Sequence, residues 1–166
     1  VGWVLVKQEC LRINRNETNL GLNWAANKAI ERAKGKYIVR IDADDILLPQ
    51  ALEKMFYHME SNNHYGIVYP AFYEWKESGL ILRINETDHH PAGALIRKSC
   101  WNEIKYNENY RCQDGFDFHL KFKDRFVVSY LDEPCFVYRK HENSQSTNEK
   151  LAAETKGKMS NEFWCN

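Results

Sequence analysis

The chain has 166 residues, a length typical of one domain, and its 43% hydrophobic residues are enough for a real core. Its 23 Lys and Arg residues balance 23 Asp and Glu residues, so it lacks the basic excess of nucleic-acid-binding proteins and we expect no nucleic-acid partner. No apolar run approaches the roughly 20 residues of a membrane span, and no signal peptide is visible. With five scattered cysteines and no Cys-x-x-Cys pair, the chain is expected in the cytoplasm.

The first half of the chain is predicted to alternate strands and helices. A short strand is expected at residues 11–14, and small or apolar residues at three- and four-residue spacing predict a helix over residues 22–33. Residues 37–41 are apolar at nearly every position, which predicts a strand buried on both faces. The order strand, helix, strand is the unit of a parallel sheet. A second amphipathic helix is predicted over residues 50–61.

The second half is predicted to be richer in strands than in helices. Its predicted elements are strands at residues 66–72, 80–84, 92–96, 126–131 and 136–139, a turn over 73–79, and helices over 98–104 and 114–123. Residues 1–146 are therefore taken as one domain, and residues 147–166 as a polar tail or loose helix.

Three carboxylates follow the predicted strand at residues 37–41. Asp42, Asp44 and Asp45 stand within four residues, and unpaired carboxylates repel one another. A divalent cation is the usual reason for such a cluster, since oxygen ligands suit Mg²⁺ or Mn²⁺. The carboxyl edge of a sheet is also where open α/β folds bind ligands. The alternative is an ordinary turn, because Asp is a common turn residue.

Five segments together resemble family 2 of the glycosyltransferases. They are NLGLNWAAN at residues 19–27, AKGKYIVRIDADD at 33–45, HPAGALIR at 90–97, QDGFDFHL at 113–120 and YRKH at 138–141 with Ser144 and Ser146, so that the similarity spans about residues 11–146. The resemblance implies a Rossmann-like GT-A fold of the nucleotide-diphosphosugar transferases, with a mostly parallel central sheet. It also implies that the N-terminal βαβ unit, which normally binds the nucleotide base, is missing from this chain.

The resemblance assigns roles to the acidic segment. It implies that Asp44 ligates Mn²⁺ or Mg²⁺ directly, and that Asp42 contacts the ribose or water bound to the metal. Asp45 is expected to cap the following turn or helix. His141 is expected to reach back to the metal or diphosphate, although a surface His beside Glu142 is the competing interpretation.

The general base is expected at the start of the predicted helix over residues 114–123. Asp114 is the candidate, because backbone N–H groups at a helix start keep a carboxylate ionised and a base must reach the attacking hydroxyl. An ordinary N-cap is the alternative for this Asp. Asp117 is the rival base, but it fits a structural acid of the first turn better. Gln113 stands where the family often has Glu.

Six further residues are candidates for binding or for lining the site. Arg139 could pair with a phosphate through its planar guanidinium, or close a surface salt bridge. Asn27 is expected to tie its helix to the metal loop by a hydrogen bond, or to face solvent. Trp75 and Trp101 could stack on a sugar ring, but core packing is commoner for Trp. His89 and His90 are expected at most to line the acceptor cleft.

The resemblance, together with these residues, implies an inverting, metal-dependent glycosyltransferase. Its partners would be a nucleotide-sugar donor and a saccharide or lipid-linked acceptor, and a lipid-linked acceptor would bring it to the inner face of the membrane. A nucleotidyltransferase is one alternative, but the Gly-rich, Lys-bearing phosphate loop that favours it is absent from the sequence. A non-catalytic carbohydrate- or nucleotide-binding remnant is the other.

Overall fold

The computed structural model describes residues 13, 15–84, 91–110, 114–139 and 155 of the chain. Its helices and strands follow one another as α1 Leu22–Arg32, β1 Tyr37–Val39, β2 Ile46–Leu47, α2 Ala51–Glu60, β3 Tyr65–Lys76, β4 Gly79–Arg83, β5 Leu95–Arg97, α3 Lys98–Trp101, α4 Asp114–Lys123 and β6 Val127–Arg139. The predicted helices at residues 22–33, 50–61 and 114–123 are confirmed to within a residue at each end.

The sheet is mixed, where the sequence predicted a mostly parallel one. Its strand order is β1-β5-β3-β6-β2, with β4 on the outer part of β3. β3 and β6 pair in parallel, but β5 runs antiparallel to both of its neighbours, and β2 and β4 are antiparallel to theirs. It follows that β1, β3 and β6 point in one direction, whereas β2, β4 and β5 point in the other.

Helices cover both faces of this sheet. One hydrophobic cluster joins Ile30 of α1 and Phe118 of α4 to the sheet residues Ile67 and Ile96. A second cluster places α2 against the neighbouring residues of the same strands, Val68 and Leu95. Because successive residues of a strand point to opposite faces, each strand contributes to both clusters. The result is a three-layer α/β/α arrangement with a buried central sheet.

Two strands are longer than the sequence indicated. The predicted turn over residues 73–79 is shorter in the structure, because β3 continues to Lys76 and forms a hairpin with β4 in which Trp75 pairs with Leu80, so that only residues 77–78 form the turn. The two predicted strands of residues 126–139 are one strand, β6, whose register against β3 shifts around Pro134. Proline has no backbone N–H for the ladder, so the pairing is irregular there while the strand continues.

Burial of the strand that precedes the acidic segment is also less complete than predicted. Ile38 is buried, but Tyr37 and Val39 are only partly buried, and Ile41 is 38% exposed. Trp101 lies in the core at 1% exposure, so it is not a sugar-stacking residue.

Several predictions concern parts of the chain that lie outside the described residues. These are the strand at residues 11–14, apart from Ile13, the His89–His90 pair, and the tail at 147–166, apart from Thr155. The boundary at residue 146 therefore stays a prediction. No helix among the described residues is long and apolar enough to span a bilayer.

Candidate active site

The topology brings three strand ends to one edge of the sheet. β1, β3 and β6 point the same way, so their carboxyl ends face the same edge of the sheet, here called the rim, although β3 and β6 extend beyond Val68, which lies level with the end of β1. The acidic segment follows β1 there, Trp75 lies near the end of β3, and Arg139 ends β6. This rim is where open α/β sheets generally bind their ligands.

Asp42 is held by an arginine two residues before it. Arg40 donates from Nε to Oδ1 of Asp42 at 3.0 Å, and from Nη2 to Oδ2 at 3.2 Å. The Arg40 side chain is only 12% exposed, and its guanidinium lies 5.2 Å from the centre of the Tyr106 ring. Both oxygens of the first carboxylate in the cluster are therefore engaged by one cation.

Asp45 fastens the acidic loop to the end of β6. Its Oδ1 accepts a hydrogen bond from the backbone N–H of Arg139 at 3.0 Å, and its own N–H donates to the carbonyl of Asp42 at 3.1 Å. The expectation that Asp45 caps the following turn or helix is thus corrected, because Asp45 caps a strand that lies 94 residues further along the chain.

Burial and the neighbouring carboxylates both disfavour the ionised form of Asp45. Burial raises the pKa of its carboxyl from 3.8 to about 6, and the nearby charges of Asp42 and Asp44 add to the rise, against the opposing effects of the Arg139 N–H and of Arg40. The Oδ2 atom of Asp45 is buried and has no hydrogen-bond partner. A cation beside this loop would relieve both conditions.

The donor set of the loop fits a cation that is completed by a diphosphate. Asp44 is exposed, whereas Asp42 and Asp45 are partly buried. No group of three Asp, Glu, His or Cys side chains within the described ranges forms a ready-made metal site. Mg²⁺ commonly uses only one or two protein carboxylates together with substrate phosphates, so such a group is not required. His141, the remaining predicted ligand, lies outside the described residues.

Asn27 does not make the predicted hydrogen bond to the metal loop, and it does not face solvent. It is buried, and its side-chain amide bonds to both the N–H and the carbonyl of Tyr106, at 3.1 and 3.0 Å, and to Glu108 at 3.0 Å. One turn earlier, Asn23 donates to the carbonyls of Asn107 and Tyr110. We call Asn23 and Asn27 the asparagine clamp; it holds the 106–110 segment, whose Tyr106 ring contacts Arg40.

Arg139 lies at the rim, with its guanidinium over an indole. The guanidinium carbon is 5.2 Å from the centre of the Trp75 ring, and Trp75 is 44% exposed. A contact from Arg139 to a phosphate stays a prediction. Trp75, unlike Trp101, remains accessible to a sugar ring.

Helix α4 begins at the candidate base. Asp114 is its first residue, and the role of Asp114 as the base stays a prediction. Asp117 is completely buried and forms an ion pair with Lys121 at 2.8 Å. A carboxylate with no exposed surface cannot meet an acceptor hydroxyl directly, which supports the structural interpretation of Asp117.

Sequence reasoning missed Arg40 and Gly93. Arg40 could have been found, because it is the one charged residue in an otherwise apolar strand sequence. Gly93 donates its N–H to the Arg40 carbonyl at 2.7 Å, and its φ of +81° suits glycine. This contact holds the segment of residues 91–97 against the acidic strand.

Comparison with known proteins identifies the class. The family model for glycosyl transferase family 2 matches residues 4–141. An uncharacterized glycosyltransferase of Methanocaldococcus jannaschii is 32% identical over 75% of this chain and 49% of its own length. The amylovoran biosynthesis glycosyltransferase AmsE of Erwinia amylovora is 40% identical over 38% of the chain and 24% of its own length. The chain therefore belongs to glycosyltransferase family 2.

A solved structure agrees with this assignment at the level of the fold. S. aureus TarS in complex with UDP-GlcNAc matches with a TM-score of 0.67 at 17% sequence identity, over 82% of this chain and 44% of that one. The predicted α/β fold of the GT-A type is thereby confirmed. The chain spans about half the length of the curated relatives that it matches most extensively.

Proposed function

We propose that the protein transfers a sugar from a nucleotide diphosphate sugar to a hydroxyl group of a saccharide or lipid-linked acceptor, with inversion at the sugar carbon and with the help of Mn²⁺ or Mg²⁺. The observation that carries this proposal is the acidic loop at the rim shared by β1, β3 and β6. Its three carboxylates and its attachment to β6 through Asp45 suit a cation that binds a diphosphate. The UDP-GlcNAc bound to TarS makes a UDP-sugar the first donor to test.

Each residue of the site has a distinct part in the proposed reaction. Asp44 would hold the cation, which when bound stabilises negative charge on the diphosphate. Asp42 would bind the ribose hydroxyls or the water around the cation, and Arg139 a phosphate oxygen. Asp114 would take the proton of the acceptor hydroxyl. At the same time the hydroxyl oxygen of the acceptor would form a bond to the sugar carbon, and the bond from that carbon to the diphosphate would break. One direct displacement inverts the configuration of the sugar carbon.

A nearly isosteric substitution at Asp44 tests the proposal. Asp44→Asn should abolish transfer from UDP-sugars and leave the protein folded, because an exposed side chain is changed while its shape is kept. Transfer with Mn²⁺ and the circular dichroism spectrum would be measured on the purified protein. Asp132→Asn, an exposed acid on β6, is the control and should keep full activity. Full Mn²⁺-dependent activity in Asp44→Asn would rule out the assigned metal role.

The assignment of the base has its own test. Asp114→Asn should lower kcat by roughly a hundredfold to ten-thousandfold, the scale of general-base catalysis, while KM for the donor changes little. Steady-state kinetics with the donor varied at saturating Mn²⁺ would separate the two constants. Unchanged kcat would remove Asp114 from the mechanism, and binding of a UDP-sugar without any transfer by the unaltered protein would favour a non-catalytic binding role.

A further inference from the structure

Arg40 and Asp42 form a pair whose geometry limits what else Asp42 can bind. Two different nitrogens of Arg40 donate to the two different oxygens of Asp42, at 3.0 and 3.2 Å. Such a forked arrangement fixes the plane of the carboxylate as well as its position. A cation that approached Asp42 would have to share these oxygens with a guanidinium of the same charge.

Arg40 is itself held in place from the opposite side. Its guanidinium lies over the Tyr106 ring at 5.2 Å, and only 12% of its side chain is exposed. Asn27 bonds to both backbone groups of Tyr106, and Asn23 bonds to the backbone further along the same segment. The ring is therefore a fixed support, and the arginine does not need to be ordered when a ligand arrives.

We propose that Arg40 is a positioning residue that keeps Asp42 out of the coordination sphere of the cation and presents it to the donor. This inference rests on the proposed function, because it takes Asp44 as the cation ligand. Two consequences follow. The protein without donor binds a divalent cation weakly, since Arg40 repels the cation and occupies Asp42. The complete site forms when the donor supplies the diphosphate oxygens.

Removal of Arg40 should change the affinity for Mn²⁺ and the affinity for nucleotide in opposite directions. This distinguishes a positioning role from a loss of folded structure. Loss of the positive charge frees Asp42 for the cation, so the affinity for Mn²⁺ in the absence of nucleotide rises. The same loss lets Asp42 leave the orientation that faces the donor, so the affinity for nucleotide at saturating Mn²⁺ falls. A residue with only a structural role would weaken both when replaced.

The experiment measures Mn²⁺ binding by electron paramagnetic resonance and UDP binding by calorimetry, on the purified protein and its variants. Arg40→Gln should bind Mn²⁺ about three- to tenfold more tightly without nucleotide, the scale for removing one partly screened charge. It should bind UDP at saturating Mn²⁺ several-fold more weakly. Arg40→Lys keeps the positive charge, so it should bind Mn²⁺ about as weakly as the unaltered protein does. Arg83→Gln is the matched control, because Arg83 also donates two hydrogen bonds to one carboxylate, that of Glu74 in the β3–β4 hairpin, and it should change neither affinity.

A double substitution tests whether Arg40 acts through Asp42. In an Asp42→Asn background, Arg40→Gln should raise the Mn²⁺ affinity by a smaller factor than it does in the unaltered protein, because the repulsion by the guanidinium is removed but no charged oxygen is freed for the cation. Unchanged or lower Mn²⁺ affinity in Arg40→Gln alone would overturn the inference. If the unaltered protein bound neither Mn²⁺ nor UDP, the proposed function itself would fail.

Discussion

Asp45 has a carboxylate whose two oxygens lie in different surroundings. One oxygen accepts the Arg139 N–H, and the other is buried without a hydrogen-bond partner. Folding therefore favours the protonated form of this group, in contrast to most paired acids, whose ionised form is favoured. Asp45 is structurally required for the rim and is also a source of instability there at neutral pH.

The free energy of unfolding of the metal-free protein should therefore depend on the protonation of Asp45. Because the pKa of Asp45 is 3.8 before folding and about 6 after it, its stabilising contribution is complete below pH 3.8 and is lost as the pH rises through about 6. Asp45→Asn, which mimics the protonated form, should show a smaller loss of unfolding free energy over that interval. Urea unfolding at a series of pH values measures the difference, with Asp132→Asn as the control. A difference between the unaltered protein and Asp45→Asn that stays constant with pH would contradict the raised pKa.

At the same scale, the acidic trio was predictable, whereas the distant partners of Asn27 and Asp45 were not. Asp42, Asp44 and Asp45 are adjacent in sequence, so their pattern alone indicates a cation site. Asn27 finds its partner 79 residues away, and Asp45 finds its partner 94 residues away. Such pairs depend on how the elements dock, and no local pattern contains that information.

Among the elements, the turn before β5 is the one most tightly fitted to its neighbour. A Cβ atom added to Gly93 would lie 2.4 Å from Cδ1 of Phe136, a buried residue of β6. The same glycine donates to the Arg40 carbonyl. This turn therefore contacts both the acidic strand and β6.

Substitution of this glycine should be severe. Gly93→Ala combines backbone strain of roughly 1–3 kcal/mol with an overpacking cost of similar size. Gly79→Ala is the matched control, since Gly79 also has a positive φ, of +119°, but a Cβ atom there would meet nothing within 4 Å. Urea unfolding should show a loss of free energy for Gly93→Ala that is clearly larger than the loss for Gly79→Ala. Equal losses would show that Phe136 yields to the added methyl group.

The hairpin of β3 and β4 shows why some elements escape prediction. The sequence from Tyr73 to Gly79 contains polar residues, which favoured a turn over its whole length. In the structure, Glu74 is buried, and its charge is compensated by Arg83 and Lys76. A charged residue that is paired across strands can occupy a strand, so polarity alone gave the wrong boundary.

At the scale of the whole molecule, the three-layer arrangement was predictable and the strand directions were not. The apolar strands and amphipathic helices indicate an α/β sandwich. The antiparallel placement of β5 between β1 and β3 cannot be predicted from its short apolar sequence. The apolar pattern of a buried strand is the same whichever direction the strand runs in the sheet. The resemblance to a known family supplied the fold type that pattern alone could not.

Burial predicts how stability is distributed over the sheet. β3 is paired on both sides and almost wholly buried from Gly66 to Phe72, whereas β4 is largely exposed. Native-state hydrogen exchange should be slowest for amides in that part of β3 and fast for those of β4, because the outer hairpin can open without unfolding the core. Equal protection of the two strands would show that the hairpin is part of the same cooperative unit.

The two ends of β5 lie in different surroundings, one beside the acidic loop and the other in a network of hydrogen bonds around Arg97. β5 starts beside the acidic loop and ends at Arg97 on the far rim, where this side chain bonds to the carbonyls of Tyr65 and Met59 and to the Tyr37 hydroxyl. Substitutions around Arg97 should therefore change the stability of the protein without touching the acidic loop. Substitutions that affect catalysis and substitutions that affect stability would therefore lie at opposite ends of β5.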